Sequence, residues 1–189
     1  MSETAHGPFT AAAIQMVSHD QVDANLKTAA DLIAQAAGAG AKLVVLPENF
    51  AFIGRYEGAV AKVAETPGET GPIQQFLASQ AATHALVLVG GSVPLADMGS
   101  DKIFASSLVY GPDGRCIARY DKLHLFDVQI GDQEGYQESA TFSAGSAVIT
   151  ADTPYAKLGL SICYDLRFPE LYRQLTQRGA DLLLVPSAF

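Results

Sequence analysis

The segment KLGLSICYDLRFPELYRQL, residues 157–175, contains the two features that decide the fold. Its first part is a short apolar run that ends at Cys163, which is the pattern of a buried strand. Its second part opens a helix, which we place from Pro169 to about Arg178. The segment therefore predicts a strand, a turn and a helix, with a thiol where the strand ends.

Strands and helices alternate along the rest of the chain. The run KLVVLP, Lys42 to Pro47, is continuously apolar and bounded by Gly and Pro, as in a strand buried on both faces. One helix is expected from a cap at Asp20 to about Ala37, and another from Pro72 to Thr83. The other predicted strands cover residues 11–16, 86–93, 103–110, 116–120, 147–151 and 181–185. Hairpins mixed with βα units indicate a layered α/β fold with a mixed sheet, and residues 126–146 are predicted as a long loop.

Length and composition predict one globular domain. The 189 residues are 49% hydrophobic, which is enough for one core, and we place the domain at 9–189 after a flexible N-terminus, residues 1–8. A net charge of -8 without a basic run argues against nucleic-acid or anionic-membrane partners. No apolar stretch could span a bilayer, and the first ten residues lack the pattern of a signal peptide, so a cytoplasmic location is the default expectation. Two cysteines make no disulfide framework.

Three reactive side chains each follow a predicted strand: Cys163, Glu48 and Lys122. Taken singly, each has a plainer interpretation, as a core thiol, a solvated loop carboxylate or a surface lysine. Together they can converge at one sheet edge, where a thiol needs a base and an amide carbonyl needs positive charge near its oxygen. The set therefore favours a site for nucleophilic attack by a cysteine.

Three segments resemble the nitrilase (carbon–nitrogen hydrolase) superfamily, and within it the Nit-type amidases. They are LVVLPENF around Glu48, YDKLHLFDV around Lys122 and GLSICYDLRFPELYRQL around Cys163. The resemblance covers Phe9 to Phe189 and implies an αββα sandwich with mixed sheets, no metal and no organic cofactor. It also implies that members continue beyond Phe189, so we expect a C-terminally incomplete domain here and a homodimer for the full-length protein.

The resemblance implies a role for each site residue. Cys163 would attack an amide carbonyl and form a thioester, with Glu48 as its general base. Lys122 and the backbone N–H of Tyr164 would stabilise the oxyanion. Glu138 matches a second glutamate that would orient Lys122 or the substrate nitrogen, and the alternative for Glu138 is an exposed loop acid.

The remaining polar residues near these motifs have structural alternatives. The resemblance suggests that Arg167 pairs with a substrate carboxylate, whereas an ion pair with Glu170 or Asp165 is the structural alternative. We interpret His124 as a residue of packing or local hydrogen bonding, and Cys116 as a core residue.

The implied function is hydrolysis of the amide C–N bond of a small carboxylated amide, with release of ammonia. Deaminated glutathione is the favoured substrate, and an ω-amide of a 2-oxo acid, such as α-ketoglutaramate, is the alternative. A hypothesis of another class is an inactive fragment that serves only as a folded or partner-bound module.

Overall fold

A computed structural model of the chain describes residues 7–56, 58–68, 71–130 and 134–188. Most of the expected flexible N-terminus, residues 1–8, lies outside these described residues, as does residue 189 at the end of the predicted domain. The described ranges form two packed β-sheets, a small β-hairpin and flanking helices.

The first sheet has five strands in chain order, of which β1 to β3 are parallel and β3 to β5 antiparallel. These strands are β1 (Thr10–Ala13), β2 (Ala41–Val45), β3 (Val87–Ala96), β4 (Ile103–Tyr110) and β5 (Cys116–Asp121). A separate hairpin consists of β6 (Asp127–Ile130) and β7 (Glu134–Gln137). The second sheet has the order β10-β9-β8 and consists of β8 (Thr150–Asp152), β9 (Lys157–Leu160) and β10 (Leu182–Leu184). The α-helices are α1 (Val22–Gly38), α2 (Pro72–His84), α3 (Glu138–Thr141) and α4 (Pro169–Gln177), and 3₁₀ turns cover Ala59–Val63 and Cys163–Arg167.

The layers follow the expected αββα order. Helices α1 and α2 pack on one face of the first sheet, and the second sheet packs on its other face, while α4 contacts β9. Strand β2 shows why its sequence is continuously apolar: Leu43 and Val45 point into the core between the sheets, whereas Val44 and Leu46 point towards the helices. Both faces of the strand are therefore buried, as the sequence predicted.

Two local predictions near the first helix and the sheet edge were wrong. Asp20 does not cap α1; it pairs with Arg55 at 2.5 Å, and the buried Asn25 side chain organises the entry to the helix through hydrogen bonds with the backbone of His19. Cys116 is exposed rather than buried in the core, at the start of β5, whose buried side chain is Tyr120.

Two further predictions misplaced secondary structure. Residues 126–146 do not form a simple loop, since they contain the β6–β7 hairpin and α3. The strand before the cysteine ends at Leu160, and Cys163 begins a 3₁₀ turn instead of ending the strand. The predicted element types hold elsewhere, with shifted ends.

Gly91 provides a test of the packing between β3 and the end of β2. A Cβ atom at this position would collide with the carbonyl oxygens of Leu46 and Pro47, which directly precede Glu48. We expect Gly91→Ala to lower the free energy of unfolding by about 1–3 kcal/mol, as overpacking usually does. Denaturant titration measures this change.

Gly38→Ala is the matched control, because an added Cβ at Gly38 meets no atom within 4 Å. We expect its free energy of unfolding to be unchanged or raised by up to about 1 kcal/mol. Equal destabilisation of Gly38→Ala and Gly91→Ala would contradict the predicted backbone collision.

Candidate active site

The ends of three strands meet at one cavity of about 780 Å³. Glu48 follows β2, Lys122 follows β5 and Cys163 follows β9, and all three line this cavity. Glu138, the first residue of α3, lines it as well. The structure thus brings together four site residues that are far apart in the sequence.

Lys122 lies buried between two carboxylates, with only 2% of its side chain exposed. Its Nζ donates to Glu48 Oε1 at 3.2 Å and to the two carboxylate oxygens of Glu138 at 2.9 and 3.0 Å. Burial lowers the pKa of Lys122, but the charges of Glu48 and Glu138 outweigh burial and hold the pKa above its ordinary value of 10.5. Lys122 therefore remains an ammonium ion, suited to stabilising negative charge rather than to accepting a proton.

Backbone donors hold both carboxylates in place. Ala188 N–H donates to Glu48 Oε2 at 2.8 Å, and Phe126 N–H donates to Glu138 Oε2 at 2.6 Å. The Glu138 side chain is only 16% exposed, so it is not the exposed loop acid considered as its alternative. Among the described residues, each carboxylate accepts one backbone N–H in addition to Lys122, which sets its orientation towards the cavity.

Cys163 has a backbone conformation that is rare for a residue with a side chain. Its φ is 47°, in the left-handed region, and its N–H donates to Pro186 O at 3.0 Å. Asn49, directly after Glu48, is also left-handed, with a φ of 56°. Such conformations cost about 1–3 kcal/mol each and cluster at functional sites. Two of the strand ends at this cavity therefore carry backbone strain.

The Cys163 thiol is held in its neutral form. Burial, followed by the charge and hydrogen bond of Glu48, raises the pKa of Cys163 to about 11, although Lys122 and the Ala188 N–H act in the opposite direction. A neutral thiol is a poor nucleophile, so attack requires a base beside it. Glu48 is the carboxylate that acts most strongly on this thiol.

Tyr164, the second residue of the turn, contributes an N–H group and an aromatic ring. Within the described ranges its N–H has no protein acceptor, so it is available beside Cys163. Its ring makes edge-to-face contacts with Phe126, at 5.0 Å between centroids, and with Phe168, at 5.6 Å. Tyr164 lines the cavity.

Arg167 also lines the cavity and is exposed. Neither ion pair considered for Arg167 from the sequence forms among the described residues: Glu170 contacts Arg173 at 3.6 Å, and the Asp165 carboxylate contacts His124.

His124 hydrogen-bonds to Asp165 through Nδ1 at 2.7 Å and stacks on Phe168, which confirms its interpretation as a residue of local hydrogen bonding and packing.

Sequence reasoning missed the groups that position the reactive side chains. The donors at Phe126 and Ala188 are backbone atoms, for which no residue type gives a signal. The sequence shows an acid two residues after Cys163, but the burial of Asp165 and its hydrogen bonds depend on how distant segments pack. In the described ranges, no cluster of three or more His, Cys, Asp or Glu side chains is arranged to hold a metal ion. No helix there is long and apolar enough to cross a membrane.

Residues 10–188 match the carbon–nitrogen hydrolase family. The deaminated glutathione amidase of Synechocystis sp. (strain PCC 6803) is 42% identical over 186 residues, which are 96% of this chain and 67% of the relative. Omega-amidase NIT2 from Homo sapiens is 40% identical over 183 residues, 96% of this chain and 64% of the relative. The crystal structure of Saccharomyces cerevisiae Nit3, in branch 10 of the nitrilase superfamily, superimposes with a TM-score of 0.83 at 37% identity, over 95% of this chain and 64% of that one. The chain thus spans about two thirds of the length of these relatives.

The effect of Glu48 on the thiol can be tested by alkylation. Because Glu48 raises the pKa of Cys163, Glu48→Gln should lower that pKa and increase the share of thiolate at mildly alkaline pH. We expect Cys163 to react severalfold faster with iodoacetamide in this variant. A Cys116→Ser background restricts the reaction to Cys163, and intact mass at quenched time points gives the rate.

Glu170→Gln is the control, since Glu170 is an exposed carboxylate on α4. Its alkylation rate should equal that of the Cys116→Ser background. Slower alkylation in Glu48→Gln than in this control would show that Glu48 does not raise the pKa of Cys163.

Proposed function

This chain belongs to the carbon–nitrogen hydrolase family, and on that premise we propose that it is a cysteine amidase that hydrolyses the C–N bond of a small carboxylated amide. The observation that carries the proposal is the buried Lys122–Glu48 contact of 3.2 Å at the cavity that Cys163 also lines. This arrangement supports the proposal, because an ammonium ion, a carboxylate and a thiol surround one space that a carbonyl group could enter.

In the acylation step, Glu48 takes the proton of Cys163 as the sulfur attacks the amide carbonyl. The carbonyl oxygen becomes an oxyanion, which Lys122 Nζ and the N–H of Tyr164 stabilise. Glu48 then passes the proton to the amide nitrogen, the C–N bond breaks and ammonia leaves. The acyl group remains on Cys163 as a thioester.

In the deacylation step, Glu48 takes a proton from water as the water oxygen attacks the thioester. The same oxyanion site stabilises the second tetrahedral intermediate, and the C–S bond breaks. Glu48 returns the proton to the Cys163 sulfur, so one amide and one water yield one carboxylic acid and one ammonia. Glu138 holds the Lys122 ammonium through both steps by its 2.9 and 3.0 Å contacts.

Deaminated glutathione is the proposed substrate, and an ω-amide of a 2-oxo acid, such as α-ketoglutaramate, is the second candidate. The names of the Synechocystis and human relatives, at 42% and 40% identity, support the first and second candidates respectively. Both compounds carry a carboxylate, and Arg167 is an exposed residue that lines the cavity. Its planar fork suits the two oxygens of such a group.

We also propose a domain assignment, a cellular location and an oligomeric state. Residues 9–189 are proposed to be part of a single carbon–nitrogen hydrolase domain, which the match over residues 10–188 supports. A cytoplasmic location is supported by the two free cysteines, since reduced thiols are usual there. A homodimer is expected for the full-length protein, and light scattering after gel filtration measures this state.

Covalent catalysis predicts a trapped intermediate. On mixing with either candidate amide, the chain should release ammonia and show a mass increase equal to the substrate minus ammonia. Cys163→Ala should lose the adduct and reduce ammonia release by about 1,000-fold or more, because the nucleophile is absent. Ammonia release that persists in Cys163→Ala would refute the proposed nucleophile. Absence of both adduct and ammonia from the unmodified chain would instead favour the inactive-module hypothesis.

Arg167→Lys tests the proposed anchor for the substrate carboxylate. Lysine keeps the charge but loses the bidentate geometry, so KM for a carboxylated amide should rise by about tenfold, while a neutral amide of equal length is unaffected. Arg173→Lys is the control, since Arg173 is exposed on α4 and contacts Glu170 at 3.6 Å. Equal loss with the carboxylated and the neutral amide would show that Arg167 has a structural role instead.

A further inference from the structure

Asp165 is a fully buried carboxylate that accepts four hydrogen bonds. Its Oδ2 accepts from Ile162 N–H at 2.8 Å and from Tyr120 O–H at 2.6 Å. Its Oδ1 accepts from His124 N–H at 3.0 Å and contacts His124 Nδ1 at 2.7 Å, so Nδ1 carries the proton that faces Asp165. Each oxygen of Asp165 therefore accepts two hydrogen bonds.

These four bonds join two separate parts of the site. Ile162 directly precedes Cys163, so its N–H belongs to the turn that carries the nucleophile. Tyr120 and His124 lie two residues before and two residues after Lys122. The Tyr120 hydroxyl also accepts the N–H of Leu123 at 3.2 Å, which fixes the segment around the lysine a second time.

Asp165 itself does not contact the reacting groups. Among the described hydrogen bonds and ion pairs, none joins its carboxylate to Lys122 Nζ, which bonds to Glu48 and Glu138. Its influence on the site must therefore pass through the backbone of the turn and of the lysine segment.

We propose that Asp165 is a positioning residue that sets the distance between the Cys163 nucleophile and the Lys122 cation. The inference rests on the proposed function, in which these two side chains act on the same carbonyl group. Catalysis by oriented groups is sensitive to displacements of about 1 Å, which can cost about 100-fold in rate. The Asp165 carboxylate is hydrogen-bonded both to the turn that carries Cys163 and to the segment around Lys122, so it fixes their relative position.

The chemistry of the site calls for a carboxylate at this position rather than an amide. A buried charge is tolerated only when its hydrogen-bonding capacity is satisfied, and the four contacts of Asp165 achieve this. An asparagine has only one oxygen that can accept hydrogen bonds. Its NH₂ group would replace the other carboxylate oxygen and would face a backbone N–H donor there. Either orientation of the amide would break the connection to Ile162 or to His124.

Tyr120→Phe is the main test, because it removes one of the four bonds to Asp165, together with the bond from Leu123 N–H, at almost constant volume and leaves all charges in place. We expect kcat for the amide to fall by about tenfold or more while KM changes by less than about threefold, since orientation rather than binding is lost. Tyr110→Phe is the matched control: Tyr110 is also buried, at the opposite end of the same pair of strands, where β4 and β5 are joined by a turn. Its kcat should not change.

A second readout does not depend on turnover. Two charged side chains act on the Cys163 thiol: Glu48 raises its pKa and Lys122 lowers it, and neither residue is altered in these variants. Displacement of Lys122 should therefore raise that pKa, and alkylation by iodoacetamide in the Cys116→Ser background should slow by about threefold per pKa unit. Asp165→Asn should slow it as well, although loss of a nearby negative charge alone would speed it up.

The outcomes separate the positioning role from the other possibilities. Lower kcat and slower alkylation in Tyr120→Phe support the inference. A lower Tm with unchanged kcat and alkylation rate would overturn it and leave Asp165 a purely structural residue. Faster alkylation in Asp165→Asn would also overturn it, since charge alone would then explain the effect. If the unmodified chain releases no ammonia from any amide, the proposed function fails, and the alkylation rates still decide the positioning role.

Discussion

The pairing of one buried ammonium with two carboxylates is the constraint on which the site depends. Lys122 donates to Glu48 at 3.2 Å and to Glu138 at 2.9 Å, and all three side chains are largely withdrawn from water. Burying these charges is costly, and the cost is offset only because each carboxylate also accepts a backbone N–H. Loss of Lys122 would leave two carboxylates in the interior without a cation. The strand ends that carry Glu48 and Lys122 must therefore stay where the fold places them.

Glu48 links this ion pair to the nucleophile and so has two opposite effects. Burial, reinforced by the negative charge of Glu48, raises the pKa of the Cys163 thiol to about 11, yet the same carboxylate is the proposed acceptor of the thiol proton during attack. The resting pair is therefore a neutral thiol beside a carboxylate, unlike the thiolate–imidazolium pair of cysteine enzymes that use histidine. The proposed mechanism therefore requires the proton to move when a carbonyl is present and the Lys122 ammonium can stabilise the developing oxyanion.

The sequence was sufficient for the parts of the fold that depend on apolar patterning. The run around Leu43 predicts a strand buried on both faces, and the position of Glu48 at its end follows from that strand. It was not sufficient for β6 and β7, because a short hairpin outside the two main sheets has no clear alternation of apolar residues. The exposure of Cys116 depends on which parts of β5 other segments cover, which local sequence does not encode. The same holds for backbone donors such as Ala188 N–H, which depend on how distant segments pack.

The most direct test of the account is a crystal structure of the chain after reaction with a slowly hydrolysed carboxylated amide. The account predicts an acyl group on the sulfur of Cys163, with the thioester carbonyl oxygen within about 3.2 Å of both Lys122 Nζ and the N–H of Tyr164. An acyl group on any other residue would contradict the account. So would a carbonyl oxygen that points away from Lys122.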